Sequence, residues 1–160
     1  MKLPLTAFLL ILYTHSCAQS AQGWEPTPSP CSALLVAQVL VDGLWAPADA
    51  RIAAFDERGH CVGASDLFST GTISYAGLRL FGDDPQTLPI EGLTEGGRFS
   101  LRLHLPESGQ TLTWFGPDGG TLLSGWSDQS GGRLPGFDDP TGVLAFHTRL
   151  VPFTCYSPTP

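Results

Sequence analysis

Apolar and polar residues alternate in short runs along most of this chain. In Arg98–Leu105 the phenylalanine and the three leucines occupy every second position, with polar residues between them. Leu144–Leu150 alternates in the same way, whereas Leu34–Val41 is apolar on both faces except at Gln38. A period of two predicts half-buried β-strands in the first two runs, and the third is typical of a central strand.

Five shorter runs also predict strands, and turn residues such as Asp42-Gly43 separate them. These runs are Arg51–Phe55, Cys61–Ala64, Ile73–Phe81, Thr111–Phe115 and Thr121–Trp126. Past the N-terminal segment no stretch keeps a helical period for long. We therefore predict an all-β domain over residues 31–155: a two-sheet antiparallel sandwich of seven or eight strands, with Ser127–Thr141 as a surface loop and 156–160 as a tail.

The N-terminus has the three parts of a secretory signal. Lys2 precedes the apolar run Leu3–Tyr13, and small residues follow. The run is shorter than the roughly 20 apolar residues that span a bilayer, so we predict a cleaved signal peptide over residues 1–18. Cleavage before Gln19 would release a secreted protein, whereas lipidation of Cys17 would give a cell-envelope or outer-membrane lipoprotein. Both alternatives stay open. Residues 19–30, rich in Pro, Ser and Gln, predict a flexible tail.

The excess of acidic residues limits the classes of molecule that this chain can bind. Lys2 is the only lysine, and seven arginines face fifteen acidic residues in the rest of the chain. Nucleic acid and anionic membranes both require clustered positive charge, so we exclude them as partners, apart from membrane attachment through a lipid on Cys17. The partners that remain are proteins or carbohydrates of the cell envelope.

Three cysteines lie beyond either cleavage site: Cys31, Cys61 and Cys155. Cys31 precedes the first predicted strand and Cys155 follows the last, so a Cys31–Cys155 disulfide would clamp the ends of the domain. A loop of that length would stabilise the fold by about 4–5 kcal/mol. Cys61 is the alternative partner of Cys155, or else a small buried apolar residue.

The sequence contains no catalytic signature, and we predict no catalytic residue and no organic cofactor. Gly125-Trp126-Ser127 begins like a nucleophile elbow but lacks its closing glycine, and His104 and His147 occupy outward strand positions. Two Asp-Asp-Pro tracts contain weak candidate Ca²⁺ ligands, namely Asp83, Asp84, Asp138 and Asp139. The alternative role for each tract is an ordinary turn.

Two tryptophans are candidate ligand contacts. Trp45 follows a turn and Trp126 opens the long loop. Exposed aromatic side chains at such places stack against sugars or anchor a protein partner. The alternative is that these rings cover the open ends of the sandwich.

The order of the strand and turn motifs resembles small Ig-like β-sandwich domains of exported and cell-surface proteins from Bacteroidota-type bacteria. The motifs are Val39–Gly43, Ala50–Asp56, Cys61–Gly63, Leu80–Asp84 and Gly97–Leu101. The first half is also similar to transthyretin-like or carboxypeptidase-regulatory domains. The resemblance implies a fold and a compartment more than an activity. We expect a non-enzymatic module that binds at the cell surface or outside the cell. The alternatives are a structural subunit of an envelope complex or fibre, and a secreted hydrolase with an unrecognised site.

Overall fold

The computed structural model describes residues 23–123, 125–134 and 140–148, which contain nine β-strands and one short 3₁₀ turn at Gln129–Gly131. The strands are β1 (Ser32–Val41), β2 (Leu44–Trp45), β3 (Arg51–Asp56), β4 (Cys61–Asp66), β5 (Phe68–Thr70), β6 (Ile73–Phe81), β7 (Phe99–Leu105), β8 (Gln110–Thr113) and β9 (Val143–Phe146). The all-β prediction is confirmed.

The strands form two sheets. In the five-stranded sheet β1 pairs with β6 and β2 along one edge and with β9 along the other, and β5 pairs with β6. The four-stranded sheet has the order β4-β3-β7-β8. Every pair of strands is antiparallel except β1 and β9, which run parallel. The prediction of two sheets is therefore confirmed, but the antiparallel prediction is wrong for the last strand.

The core lies between the two sheets. In β1 the residues Leu35 and Val39 point inward, and in β7 Phe99 and Leu101 do so, because successive side chains of a strand point to opposite faces. These side chains belong to one buried cluster that takes residues from both sheets. The alternation of Arg98–Leu105 thus predicts the buried face of β7 correctly.

The chain after β8 differs from its prediction. The described residues of the predicted strand Thr121–Trp126 form no strand: Leu123 makes an isolated bridge, exchanging two backbone hydrogen bonds with Phe99 at 2.7 and 3.0 Å. In the segment predicted to be a surface loop, Leu134 is buried in the core. This part of the chain closes one side of the sandwich with individual apolar side chains.

The N-terminal segment is attached to the domain. Trp24, expected in a flexible tail, is buried against the outside of the four-stranded sheet, where its ring meets Phe55 edge-on at 5.6 Å. Its carbonyl accepts a hydrogen bond from Arg51 Nη2 at 3.2 Å. The tail prediction is therefore wrong at Trp24, because a tryptophan gains more from burying its ring on an apolar patch than it loses by being ordered.

Removing the Trp24 ring tests this attachment. We expect Trp24→Ala to lower the free energy of unfolding by about 2 kcal/mol, since the ring covers a surface patch and not the main core. Equilibrium unfolding in urea measures the change, with Leu88→Ala in an exposed loop as the control. Equal stability of the two variants would show that the segment is not fastened to the sheet.

Several predictions fall outside the described residues and stay predictions. They are the signal peptide at 1–18 with the lipidation candidate Cys17, most of the tail before Trp24, and the C-terminal tail at 156–160. Within the part of the chain that the structure describes, no helix is long and apolar enough to cross a membrane.

Candidate functional site

The five-stranded sheet has one face in the core and one face directed away from it, and apolar residues cover most of the face directed away. Because Leu35 and Val39 point into the core, the even-numbered residues of β1 point outward, and strand register identifies their neighbours. We call this surface the outer face. Its residues are Ser32, Leu34, Val36, Gln38, Leu40, Trp45, Phe68, Thr70, Ile73, Tyr75, Gly77, Arg79, Phe81, Val143 and Ala145.

Strand β2 brings Trp45 beside Tyr75 of β6. Gln38 pairs with both Tyr75 and Val143, while two residues later Leu40 pairs with both Trp45 and Ala145. Since β9 occupies one edge of β1 from Gln38 to Val41, β6 and β2 share the other edge. Trp45 and Tyr75 are therefore successive outward positions along that edge, about 7 Å apart.

Phe68 extends this pair into a row of three aromatic side chains. Its ring stacks on Tyr75 with centroids 5.5 Å apart and 18° between the planes. Gly77 leaves the space that Phe68 fills, because a Cβ at Gly77 would lie 3.4 Å from Phe68 Cε1. Phe68 nevertheless remains 50% exposed and Trp45 39% exposed. Four of the eight exposed large apolar side chains among the described residues lie on the outer face.

The outer face carries little charge. Arg79 is the one ionisable group other than the Tyr75 phenol among the residues that define it, although the whole chain has a net charge of −7. From strand spacings the face measures about 20 by 20 Å, or roughly 400 Å². A face of this size is comparable to the largest apolar patch of a typical monomer, and such patches are often functional.

The two candidate tryptophans lie in different environments: one on the surface and one in the core. Trp45 lies on the outer face, as a ligand contact requires. Trp126 is only 2% exposed, and its Nε1 donates to Asp128 Oδ1 at 2.7 Å. The ligand-contact prediction for Trp126 is therefore wrong, and the alternative holds: its ring fills one side of the sandwich.

Asp83 and Asp84 serve the turn after β6. Asp83 Oδ1 accepts the Glu91 N–H and Asp84 Oδ1 accepts the Gln86 N–H, both at 2.9 Å. Asp138 and Asp139 lie outside the described residues. Over the described ranges, no group of three or more His, Cys, Asp or Glu side chains could hold a metal ion. The Ca²⁺ hypothesis thus rests on carboxylates of which two already bind backbone N–H groups.

Cys31 and Cys61 form no disulfide with each other or with any other described residue. Cys31 packs against the main core, and Cys61 packs against the smaller cluster around Trp24 and Phe55. Burial raises the pKa of the Cys61 thiol above its usual value. Cys155 lies outside the described residues, so its pairing with Cys31 or with Cys61 stays a prediction.

The two candidate histidines lie in different environments. His104 Nδ1 is 3.3 Å from Thr111 Oγ1, and its ring meets Trp24 edge-on. His147 Nδ1 is 3.5 Å from Asp42 Oδ1 near the β1–β2 turn. Neither of these contacts includes a serine hydroxyl, the group that a Ser-His-Asp site would place beside its histidine.

A polar hollow beside the β3–β4 turn is the second candidate site. Glu57, which forms an ion pair with Arg98, lines two shallow cavities of about 230 and 380 Å³. Asp56 lies behind them and accepts the backbone N–H groups of Arg58 and His60. Its second oxygen binds the Arg58 guanidinium. Since these charges already satisfy one another, the hollow offers a ligand less than the outer face does.

Asp42 marks one end of the outer face. It accepts hydrogen bonds from the hydroxyl and the backbone N–H of Thr148, and chiefly that hydroxyl lowers the pKa of Asp42 below its ordinary value. The stabilisation that Asp42 contributes is therefore present at neutral pH and is lost as the pH falls through its lowered pKa. We expect Thr148→Val to raise the pKa of Asp42 towards the ordinary value, as followed by carboxyl NMR titration. An unchanged pKa would mean that the hydroxyl bond is not formed in solution.

No family model, curated protein or solved structure matches this chain.

Proposed function

We propose that this chain is an exported, non-enzymatic Ig-like module that binds a protein at the cell surface or outside the cell through its outer face. The observation that carries the proposal is the exposed apolar sheet face with the row Trp45, Tyr75 and Phe68. A surface of that composition loses free energy when a partner removes it from water.

The order of strand pairing supports the Ig-like assignment. Immunoglobulin-type sandwiches join strands B, E and D in one sheet and C, F and G in the other, and variable-type domains add C′ beside C. Here β1, β6 and β5 are joined in the order B-E-D. In the other sheet β4, β3, β7 and β8 are joined in the order C′-C-F-G. Strand β9 occupies the edge of β1 where strand A pairs in those domains.

Export is supported by the signal pattern of residues 1–18, and the position of Trp24 adds an orientation. If Cys17 carries a lipid, the seven residue steps to Trp24 allow at most about 24 Å between anchor and domain. The four-stranded sheet would then face the membrane, and the outer face would point away from it. If the chain starts at Gln19, the outer face is exposed in solution.

Ring orientation favours a protein partner over a carbohydrate. Sugars stack on the free flat face of an aromatic ring. Phe68 and Tyr75 turn one flat face each towards the other, so the row offers a sugar less ring surface than three separate rings would. The outer face also has few polar side chains with which to bind sugar hydroxyls.

The second candidate function is a structural subunit of an envelope complex or fibre. The same exposed apolar face favours it, because permanent assemblies use apolar interfaces. The two functions differ in occupancy: a structural subunit has its outer face covered at all times, whereas a binding module also exists free.

Photo-crosslinking in the producing cells tests the proposed function. A benzophenone amino acid replaces Phe68 in one variant and Leu122, which is 40% exposed and lies beside the polar hollow, in the matched control. We expect a polypeptide adduct from the Phe68 position and little from the Leu122 position. Equal adducts, or adducts only from Leu122, would contradict binding through the outer face.

Intact mass spectrometry of the membrane and medium fractions tests export. A chain starting at Gln19 in the medium indicates secretion, and a chain starting at Cys17 with a diacylglycerol increment indicates a lipoprotein. Recovery of only the full-length chain from the cytoplasm would contradict both alternatives.

A further inference from the structure

The two ends of the outer face carry opposite charges. Arg79 pairs in register with Leu34 at one end, and Asp42 follows β1 at the other. Eight residues of strand separate Leu34 from Asp42, which corresponds to about 26 Å. Among the described residues Arg79 forms no ion pair, whereas the Asp42 carboxylate, charged at neutral pH, accepts two hydrogen bonds from Thr148 and lies 3.5 Å from His147 Nδ1. An apolar surface therefore lies between one positive and one negative end.

We propose that two copies of this chain pair through their outer faces in an antiparallel two-fold arrangement, with Arg79 of each copy beside Asp42 of the other. This proposal rests on the proposed use of the outer face for protein binding, and it names the partner. A two-fold axis brings the same patch of both copies together, so a surface whose two ends have opposite charge complements itself when one copy is reversed.

Charge also favours a second copy at this surface and not elsewhere. Each chain has a net charge of −7, so most approaches between two copies bring carboxylates together. No acidic residue is among those that define the outer face. Two chains can therefore meet there without opposing carboxylates, and the two Arg79–Asp42 contacts fix the orientation.

The size of the face predicts a weak dimer. About 400 Å² from each copy gives roughly 800 Å² in total, below the approximately 1,200 Å² at which stable interfaces begin. We therefore expect a concentration-dependent equilibrium with a dissociation constant on the order of tens of micromolar.

Sedimentation equilibrium of the exported chain, from about 1 to 500 μM, tests the pairing. We expect monomer at the low end and mostly dimer at the high end. Phe68→Lys should weaken association at least about tenfold, because it introduces two charges into the apolar interface. Leu122→Lys, a similarly exposed leucine elsewhere, should leave association unchanged. Unfolding curves confirm that both variants fold.

Charge variants test the orientation. Arg79→Glu should weaken the dimer about tenfold, and Asp42→Asn should also weaken it. Asparagine tolerates the positive φ of 50° at Asp42, so the turn is preserved. Arg133→Glu makes the same charge change at another exposed site and should have no effect. Equal weakening by Arg79→Glu and Arg133→Glu would overturn the antiparallel arrangement.

Different results would contradict the pairing of two copies and the binding of a protein through the outer face. A chain that stays monomeric to 500 μM, or a dimer that Phe68→Lys does not weaken, overturns pairing of two copies through the outer face. Cross-linking from position 68 to a different polypeptide would still support the proposed function. Adducts with the mass of two copies of this chain support both.

Discussion

We expect Trp126→Ala to lower the free energy of unfolding by about 3–5 kcal/mol, as removal of a fully buried aromatic side chain does. The indole contacts Gly82 so closely that a Cβ on that glycine would lie less than 3.0 Å from the ring. Cys31 lies against the same glycine, and the ring belongs to the main core. Loss of the ring would leave a cavity where the end of β6 meets the long segment after β8. Equilibrium unfolding in urea measures the effect.

Trp45→Ala is the matched control. Its ring is 39% exposed on the outer face, so we expect a loss of about 1 kcal/mol or less. Trp45→Ala should also weaken the pairing of two copies through the outer face. Trp126→Ala is unsuitable for testing that pairing because it destabilises the fold. If the two variants lost equal stability, the assignment of Trp126 to the core and Trp45 to the surface would be wrong.

A second large effect is expected at the junction of the two sheets. We expect Gly63→Ala in β4 to lower the free energy of unfolding by about 3 kcal/mol, because its methyl group would enter the Arg79 carbonyl of β6. The obstacle is backbone, so no side-chain rotation relieves it. The four-stranded sheet would have to shift away from the five-stranded sheet.

Gly77→Ala provides the control on β6 itself. A Cβ there meets only Phe68 Cε1 at an ordinary 3.4 Å, so we expect a change of about 0.5 kcal/mol or less. Thermal and urea unfolding of both variants give the comparison. A tolerated Gly63→Ala would show that the sheets are further apart in solution than the close approach of β4 to β6 implies.

The sequence contains most of the information on the strands but not on where the tryptophans lie. Alternation identifies β7 because it depends on neighbours within a single strand. Burial of Trp126 depends on Gly82, which lies 44 residues earlier in the chain, and no local pattern records that contact. For the same reason the sequence pattern predicts that Trp24 belongs to a tail, although its ring packs on Phe55 of β3.

The sequence of β1 indicates the apolar outer face. How that pattern is interpreted depends on whether one or both faces of the sheet are covered by other parts of the chain. Leu34–Val41 is apolar on both faces, which is typical of a strand covered on both sides. In the described residues the sandwich has two layers, so Leu34, Val36 and Leu40 point away from the core. The partner that we propose for the outer face would cover this second apolar face of β1. The polar hollow had no such signal, because its cavities join loops from distant parts of the chain.

The central claim, that the outer face is a binding surface, can be measured directly by thiol labelling in intact producing cells. Phe68→Cys places a thiol on the outer face, and Leu122→Cys places a similarly exposed thiol away from it. Peptide mass spectrometry after maleimide treatment gives the labelled fraction at each position. We expect position 68 to be protected in the cells and reactive in the dilute purified protein, with position 122 reactive in both. Equal labelling of position 68 in cells and in dilute solution would contradict a partner on the outer face.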